Sequence, residues 1–225
     1  FVVYSKNYPI CSFDVKHVKP LVNKLINRVS KANKYINQVS TRTPVYLGNN
    51  RAITKTIYGH KIIVDTRDLS LSPHILLDGE WESWITKVFL DYVQPGMNVL
   101  DIGSNVGYYS LLAAERIGEK GSLICFEANP EMSDILFHNL LLNGFNERSK
   151  VVTKAVYSHA DKLEFKIYEK FMGSSSLWAN ETHAANYRDN IKVLEVDAVS
   201  LDEFLPENTK IDLIKIDAEG AEPYI

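Results

Sequence analysis

The stretch that decides the fold is residues 99–118, VLDIGSNVGYYSLLAAERIG. It opens with an apolar run, residues 99–102, that is typical of a buried strand. From Tyr108 to Ile117 the apolar residues recur at helical spacing, and Gly103 and Gly107 lie between the two segments. A glycine turn between a buried strand and a helix directs backbone N–H groups and the positive helix end toward a ligand. The sequence therefore predicts a strand–turn–helix unit with a binding site at the turn.

Alternating strands and helices follow this unit along the chain. Short apolar or β-rich runs predict strands at residues 122–127, 151–157, 163–168, 192–197 and 211–216. A helix is predicted at residues 130–143, between Pro130 and Gly144, and a short helix at residues 201–205. Buried strands alternating with helices are typical of an α/β fold, an open parallel sheet with helices on both faces.

Three parts make up the predicted domain organisation. They are a basic helical arm at residues 1–50, a β-hairpin and helix at residues 51–97, and a core at residues 98–225. In the middle part, β-rich segments at residues 54–58 and 61–65 flank the turn residues Gly59 and His60, and a helix at residues 83–92 leads into the core.

The arm has its own charge and periodicity. It holds eight Lys and Arg residues against one Asp, although the whole chain carries a net charge of −3. Its apolar residues recur alternately every three and four positions between residues 15 and 39, with the regular helix beginning near Pro20. This spacing favours either a short coiled coil that joins protomers or an amphipathic helix packed on its own domain. Lysines along a helix commonly form a solvated face, so we do not expect a nucleic-acid partner.

Composition limits the class of protein. The 225 residues are 45% apolar, which is enough for one large domain and an accessory segment. The sequence has no run of about eighteen apolar residues, so no membrane span is predicted. Cys11 and Cys125 are far apart in the sequence and favour a reducing compartment, so we expect a cytoplasmic protein.

Polar residues and glycines follow three of the predicted strands, where an open parallel sheet binds its ligands. Glu127 lies 20 residues after Gly107, where a carboxylate accepts both hydrogen bonds of a ribose diol. The chain lacks the G-x-G-x-x-G pattern of dinucleotide sites and the G-x-x-x-x-G-K-[ST] pattern of triphosphate sites. Asp101, ahead of the turn, instead suits the amino group of an amino-acid cofactor. S-adenosylmethionine joins adenosine to an amino acid, and it is the cofactor that we predict.

These motifs resemble those of the FkbM family of class I S-adenosylmethionine-dependent methyltransferases. The resemblance covers residues 60–225 and rests on five stretches in order: GEWE at 79–82, VLDIGSNVGYYSLLAA at 99–114, FEANP at 126–130, the Ser-rich loop at 173–176, and IDLIKIDAEGAE at 211–222. It implies a Rossmann-like open sheet and methylation of hydroxyl groups on sugars or natural-product scaffolds. The family fold has further C-terminal strands, so we expect these to be missing and the last sheet edge to be unpaired.

The resemblance also implies roles for individual residues in holding the cofactor. These residues are Asp101 and Asn105 for the polar end of the methionine part, Gly103 and Gly107 for close backbone approach, Glu127 for the ribose, Asn129 for the nucleoside, Ala155 and Val156 for the adenine, and Glu82 for closing the site from the N-terminal side.

Three acids near the last predicted strand are candidates for the chemistry. An alcohol is a weak nucleophile, so a general base that takes its proton accelerates the transfer. We assign this role to Asp217, with Glu219 and Glu222 as alternatives, while Lys215 orients a carboxylate or polarises the acceptor. The same acids could hold Mg²⁺, although their spacing does not favour a metal site.

Two other functions stay compatible with the sequence. A nucleic-acid methyltransferase would suit the basic arm, but the sequence lacks both the Asn-Pro-Pro-[Tyr/Phe] and the Pro-Cys motifs of such enzymes. A non-catalytic cofactor-binding or coupling module of a larger glycan-assembly protein would suit the regular apolar spacing between residues 15 and 39. We expect a small-molecule or glycan acceptor, whose identity the sequence does not give.

Overall fold

The computed structural model describes residues 2–5, 8–11, 42–178, 184–186 and 188–225. The strands are β1 (Val2–Ser5), β2 (Tyr8–Cys11), β3 (Val45–Gly48), β4 (Arg51–Lys55), β5 (Lys61–Asp65), β6 (Asn98–Ile102), β7 (Ser122–Phe126), β8 (Ser149–Val152), β9 (Ala155–Val156), β10 (Asp161–Tyr168), β11 (Ile191–Val199) and β12 (Leu213–Ile216). The helices are α1 (Ser72–Leu77), α2 (Ser83–Tyr92), α3 (Tyr108–Ile117), α4 (Pro130–Leu142) and α5 (Leu201–Phe204). Among these described residues, no helix has both the length and the apolar character needed to cross a membrane.

The core is a six-stranded sheet in the order β2-β1-β12-β6-β7-β8. Strands β12, β6, β7 and β8 run parallel, and β1 and β2 add antiparallel strands at one edge. The chain moves outward from β6 through β7 to β8 and returns to β12 on the other side of β6. This reversal opens a crevice at the carboxyl ends of β6 and β12, where open α/β sheets bind ligands. The predicted α/β fold, a Rossmann-like sheet of the class I methyltransferase type, is confirmed.

Alternate residues of the parallel strands pack into two cores on opposite faces of this sheet. Val99 of β6 packs in the larger core, which includes residues of α3 and α4, whereas Leu100 and Ile102 pack in the smaller core with Phe204 of α5. Successive side chains of a strand point to opposite faces, so a strand that is covered on both faces is apolar at nearly every position. This explains the apolar run at residues 99–102.

The predicted hairpin is part of a three-stranded antiparallel sheet in the order β3-β4-β5. Its first strand, expected at residues 54–58, lies earlier in the chain, at Arg51–Lys55 (β4). The chain turns early because the Thr56 N–H donates to the His60 carbonyl and the Gly59 N–H donates to the Thr56 carbonyl. The additional strand, β3, comes from the segment that the sequence assigned to the arm.

The strand predicted at residues 151–157 is two strands in the structure. β8 ends at Val152 in the core sheet, and β9 pairs in parallel with β11 in a separate sheet of order β10-β11-β9. The Lys154 N–H donates to the Val152 carbonyl at 3.0 Å, which interrupts the extended backbone between the two strands. The interruption transfers Ala155 and Val156 from the core sheet to the second sheet.

The edge of the core sheet beyond β12 is paired, contrary to the expectation that it would be exposed. β1 lies antiparallel to β12, with Val2 opposite Ile216 and Ser5 opposite Leu213. Residues of the predicted arm therefore supply a strand to the core sheet. The helix and self-association predicted for the apolar repeat between residues 15 and 39 lie outside the described residues.

Two asparagine side chains, from Asn139 of α4 and from Asn143 just after its end, hydrogen-bond the backbone of β5, the edge strand of its sheet. Asn139 Oδ1 accepts from the Ile63 N–H at 2.7 Å, and Asn139 Nδ2 donates to the Ile63 carbonyl at 2.9 Å. Asn143 makes the equivalent pair with the N–H and carbonyl of Lys61, at 2.9 and 2.7 Å. Asn139 Nδ2 also donates to the Val106 carbonyl at 2.7 Å, which links the three-stranded sheet to the glycine turn.

Candidate functional site

A cavity of about 670 Å³ opens at the carboxyl ends of β6, β7 and β12. Its volume is within the range of small-molecule sites in proteins. Its lining includes the strand-end residues that the sequence singles out, among them Gly103, Asn105 and Glu127. Residues of α2 and of the loop that follows β10 complete the lining. The crevice that the strand order creates is therefore a partly open cavity.

The two glycines of the turn are required by close packing of the protein itself. Gly103 has φ +70°, and a Cβ atom there would lie 1.9 Å from the Asp217 carbonyl oxygen. Gly107 has φ +92°, and a Cβ atom there would lie 2.5 Å from Leu136 Cδ1. Gly103 also lines the cavity. Gly103 therefore lies where its backbone can approach a ligand, whereas Gly107 lies at the contact between α3 and α4.

The Glu127 carboxylate is held in a fixed orientation at the end of β7. Its Oε2 accepts from the Asn105 N–H at 2.7 Å, and its Oε1 accepts from the Asn129 N–H at 2.8 Å. Burial raises the pKa of this carboxyl, and these two backbone donors act against that shift. A carboxylate oxygen has two acceptor sites, so each oxygen retains one for a ligand hydroxyl. Glu127 lines the cavity and can accept two hydroxyl donors at once.

Asp101 and Lys215 form a buried ion pair behind the glycine turn. Lys215 Nζ lies 3.1 Å from Asp101 Oδ1 and 3.8 Å from Asp217 Oδ2, and it donates to the Gly103 carbonyl at 2.9 Å. Asp101 Oδ2 also accepts from the Ser110 hydroxyl at 2.5 Å. Burial alone lowers the pKa of Lys215, but the carboxylates of Asp101 and Asp217 outweigh it and hold this pKa above its ordinary value. The ammonium is therefore charged and already paired.

This pairing changes what the two residues can do for a ligand. Lys215 lines the cavity, whereas Asp101 is fully buried and is not among the lining residues. Asp101 therefore does not contact the cavity directly. It holds the Lys215 ammonium, which lines the cavity and donates to the Gly103 carbonyl.

Three carboxylates, those of Glu82, Asp217 and Glu219, line the end of the cavity beside β12. Burial, followed by the charges of Asp217, Glu222 and Glu82, raises the pKa of Glu219 to about 7. Burial and then the Asp217 charge also raise the pKa of Glu82, whose Oε2 lies 3.4 Å from the Tyr109 hydroxyl. Glu82 has a left-handed backbone, φ +43°, a conformation that is costly for a residue with a side chain.

Glu222 has a structural part in the same loop. Its carboxylate accepts from the Ala218 N–H at 2.9 Å and from the Gly220 N–H at 2.8 Å. Burial alone would raise the pKa of Glu222, but these hydrogen bonds from the backbone lower it. Glu222 thus fixes the loop that carries Glu219. Within the described part of the chain, no group of three or more His, Cys, Asp and Glu side chains is arranged to hold a metal ion.

The remaining predicted residues form the wall next to β9. Ala155 and Val156 are buried and line the cavity together with Phe165 of β10. Asn129 also lines it, and its side-chain Oδ1 accepts from the Glu131 N–H at 3.0 Å, which caps α4. Of the predicted site residues, all but Asp101, Gly107 and the alternative base Glu222 line the cavity.

Sequence reasoning missed Asp68, a buried residue that fixes the loop after β10. Asp68 Oδ1 accepts from the Ser70 N–H and the Met172 N–H, and Oδ2 accepts from the N–H groups of Leu71 and Ser72. These bonds join the residues before α1 to the turn at Met172, which lines the cavity. The only sequence signal is an Asp followed by Ser residues and a Pro, a pattern typical of a helix start.

A second feature that was missed is the apolar surface of α2. Trp84, Ile85 and Val88 of α2, together with Trp81 just before it, line the same cavity as the strand ends. Their spacing along a helix would place them on one side, but the sequence alone does not show whether that side faces the core or a ligand site.

Comparison with known proteins identifies one family. A family model described as "Methyltransferase FkbM domain" matches residues 101–223, which is more than half of the chain.

Two curated proteins are similar over part of their length. Methyltransferase sdnD from Sordaria araneosa is 27% identical over 148 residues, which are 55% of this chain and 57% of that protein. Protein-L-isoaspartate O-methyltransferase from Methanopyrus kandleri is 34% identical over 59 residues, 26% of each protein. The chain thus spans little more than half of the first relative and about a quarter of the second.

Solved structures show a more distant likeness. An O-methyltransferase from Bacillus cereus in complex with SAH is 27% identical, with a TM-score of 0.30 over 32% of this chain and 34% of that one. TYW2 of P. horikoshii in complex with MeSAdo is 16% identical, with a TM-score of 0.39 over 62% of this chain and 50% of that one. At these TM-scores the likeness carries no structural argument.

Proposed function

Because the chain belongs to the FkbM methyltransferase domain family, we propose that it transfers a methyl group from S-adenosylmethionine to a hydroxyl of a sugar or natural-product scaffold. The observation that carries this proposal is Glu127, whose carboxylate is fixed by two backbone N–H groups and retains two acceptor positions at the cavity. A ribose offers two adjacent hydroxyl donors that match these positions. The family match supports the reaction class, and the geometry supports the cofactor.

The cavity residues fit the other parts of this cofactor. Ala155, Val156 and Phe165 supply an apolar wall for the adenine, next to Asn129. Gly103 and Asn105 flank the path from Glu127 to the acids beside β12, where the methionine part would lie. Among the acids, Glu82 and Asp217 offer negative charge for an amino group. When bound, S-adenosylmethionine supplies an electrophilic methyl carbon.

The acids beside β12 are suited to take the proton of the acceptor hydroxyl. Glu219 is the stronger candidate, because a pKa of about 7 makes its carboxylate a better base than an ordinary one near neutral pH. Asp217, the residue that the sequence favours, lies 3.8 Å from the Lys215 ammonium, so its carboxylate already has a charged partner. Glu222 is occupied by the backbone and holds the loop in place. In this proposal Glu219 takes the proton and Asp217 orients the polar groups around it.

Calorimetric titration of S-adenosylmethionine and S-adenosylhomocysteine tests the cofactor site. We expect micromolar or tighter binding to the wild type, and about a tenfold or greater loss in Glu127→Ala, because two hydrogen bonds to a charged group are removed. Glu131→Ala is the matched control, since Glu131 is exposed and contacts Arg67 on the surface. A folded wild-type chain that binds neither compound would contradict the proposal.

The proposal also includes the cellular compartment of the protein and its self-association. The free and buried thiol of Cys125 supports a reducing compartment such as the cytoplasm. Self-association through residues 15–39 rests on their apolar spacing, and sedimentation of the chain with and without these residues would test it.

A further inference from the structure

Four apolar side chains of α2 and of the residues just before it form a wall of the cavity that the cofactor proposal does not use. Trp81, Trp84, Ile85 and Val88 line the same cavity as Glu127 and Asn129. The wall also packs on the protein, since Ile85 is buried in the core and Trp81 and Trp84 pack against it. Trp81, Trp84 and Val88 are only half-buried, so the surface that they present to the cavity is available to a ligand.

The wall is held in place by contacts that leave its cavity side free. The Thr86 hydroxyl donates to the Trp81 carbonyl at 2.7 Å and lies 3.2 Å from the Tyr108 hydroxyl. The Trp81 ring packs against His74, with ring centroids 5.1 Å apart. Side chains that are positioned before the ligand arrives lose little entropy on binding, which favours affinity.

The chemistry of the wall restricts what it can bind. Apart from two indole N–H groups, the side chains of Trp81, Trp84, Ile85 and Val88 carry no hydrogen-bonding atoms. A sugar ring can stack its C–H face on an indole, but the hydroxyls at its edge need hydrogen-bond partners that these four side chains do not supply beyond the two indole N–H groups. A flat apolar ring loses no such bonds and gains from burial against two indole rings.

The wall and the acids lie in the same cavity. Glu82 directly follows Trp81 in the chain and lines the cavity with Glu219. A ligand on the wall can therefore reach the acids with a polar group at its edge.

We infer that the surface formed by Trp81, Trp84, Ile85 and Val88 is the acceptor subsite, and that it takes a flat, apolar alcohol rather than a free sugar. This inference rests on the proposed methyltransferase function and selects between the two acceptor classes within it. The alcohol lies with its ring on the indoles and its hydroxyl toward Glu219.

Calorimetric titration of two probes into the chain saturated with S-adenosylhomocysteine tests this subsite. The probes are 2-naphthol and methyl α-D-glucopyranoside. We expect the wild type to bind 2-naphthol and not the glucoside, and Trp84→Ala to weaken 2-naphthol binding about tenfold or more while S-adenosylhomocysteine binding is kept. Trp178→Ala is the matched control, since Trp178 is exposed and stacks on Tyr224 outside the cavity lining.

Each result decides between named outcomes. The inference would be overturned if the glucoside bound more tightly than 2-naphthol, or if Trp84→Ala and the wild type bound 2-naphthol equally well. It would also be overturned if a chain that binds S-adenosylhomocysteine bound neither probe. If Trp84→Ala fails to fold, Val88→Gln at a half-buried position of the wall replaces it, with the same expected loss. Repeating the 2-naphthol titration without S-adenosylhomocysteine separates the two proposals, because failure of the cofactor to bind then contradicts the methyltransferase function alone.

Discussion

A Cβ atom added to Gly103 would lie 1.9 Å from the backbone carbonyl oxygen of Asp217. The end of β6 and the loop after β12 therefore pack backbone against backbone at this point. The contact places the glycine turn beside Asp217, one of the acids that line the cavity. It thus joins two strand ends of the candidate site.

Gly103→Ala should destabilise the chain and disrupt the cavity. The new methyl group would push the Asp217 backbone away, and φ +70° adds about 1–3 kcal/mol of strain for a residue with a side chain. Urea denaturation and S-adenosylhomocysteine titration measure the two effects. Gly144→Ala is the control, because Gly144 has φ +71° and a Cβ atom there would have no neighbour within 4 Å. Equal losses in both variants would show that backbone strain alone matters.

The rate of methyl transfer should rise with pH around neutrality. A base works in its deprotonated form, and the deprotonated fraction of Glu219 increases as the pH passes its pKa of about 7. The pH profile of kcat/KM should therefore climb through this range in the wild type. Glu219→Gln should lower kcat and flatten the climb. If the climb persists in Glu219→Gln and disappears in Asp217→Asn, the base is Asp217.

Lys215→Met should cost about 3–5 kcal/mol of unfolding free energy, since it leaves the buried Asp101 carboxylate without its cation. Adding Asp101→Asn to this variant should recover part of the loss, because the remaining group is then neutral. Chemical denaturation measures both. Lys162→Met, which removes an exposed ion pair with Glu195, should leave the midpoint nearly unchanged. A loss in Lys162→Met as large as that in Lys215→Met would contradict this reasoning.

Asn139→Ala should destabilise the chain by about 3 kcal/mol, because it leaves the buried N–H and carbonyl of Ile63 and the carbonyl of Val106 unpaired. Asn143→Ala should cost less than about 1 kcal/mol, since water can replace the more exposed bonds to Lys61. Thermal unfolding of the two variants compares them. Similar losses would mean that burial does not set the strength of these bonds.

Local signals in the sequence were enough to single out the strand-end residues Gly103, Asn105 and Glu127, which line the cavity. Each of these signals can be read from a few neighbouring residues. They are the apolar run before Gly103, the helical spacing after Gly107 and the acid at Glu127. Their relative positions then follow from the general geometry of a parallel sheet. This is why the fold class could be predicted before any contact was known.

The remaining features depend on residues far apart in the chain. Lys215 neutralises Asp101 across two neighbouring strands. The sequence does not show this ion pair, so it suggested ligand roles for both residues. The break at Lys154 depends on pairing between β9 and β11, and nothing in the run at residues 151–157 marks it. The apolar side of α2 could be assigned to the cavity only after Phe89 was seen to fill the core.

Asn139 of α4 and Asn143, just after its end, also protect an edge strand from pairing with another copy of this protein. An unpaired strand edge can recruit a strand from another molecule and begin aggregation. On β5 the N–H and carbonyl groups of Lys61 and Ile63 are already bonded to Asn143 and Asn139. A helix thus blocks intermolecular strand addition at this edge, and it does so with side chains that a sequence search for edge strands would not detect.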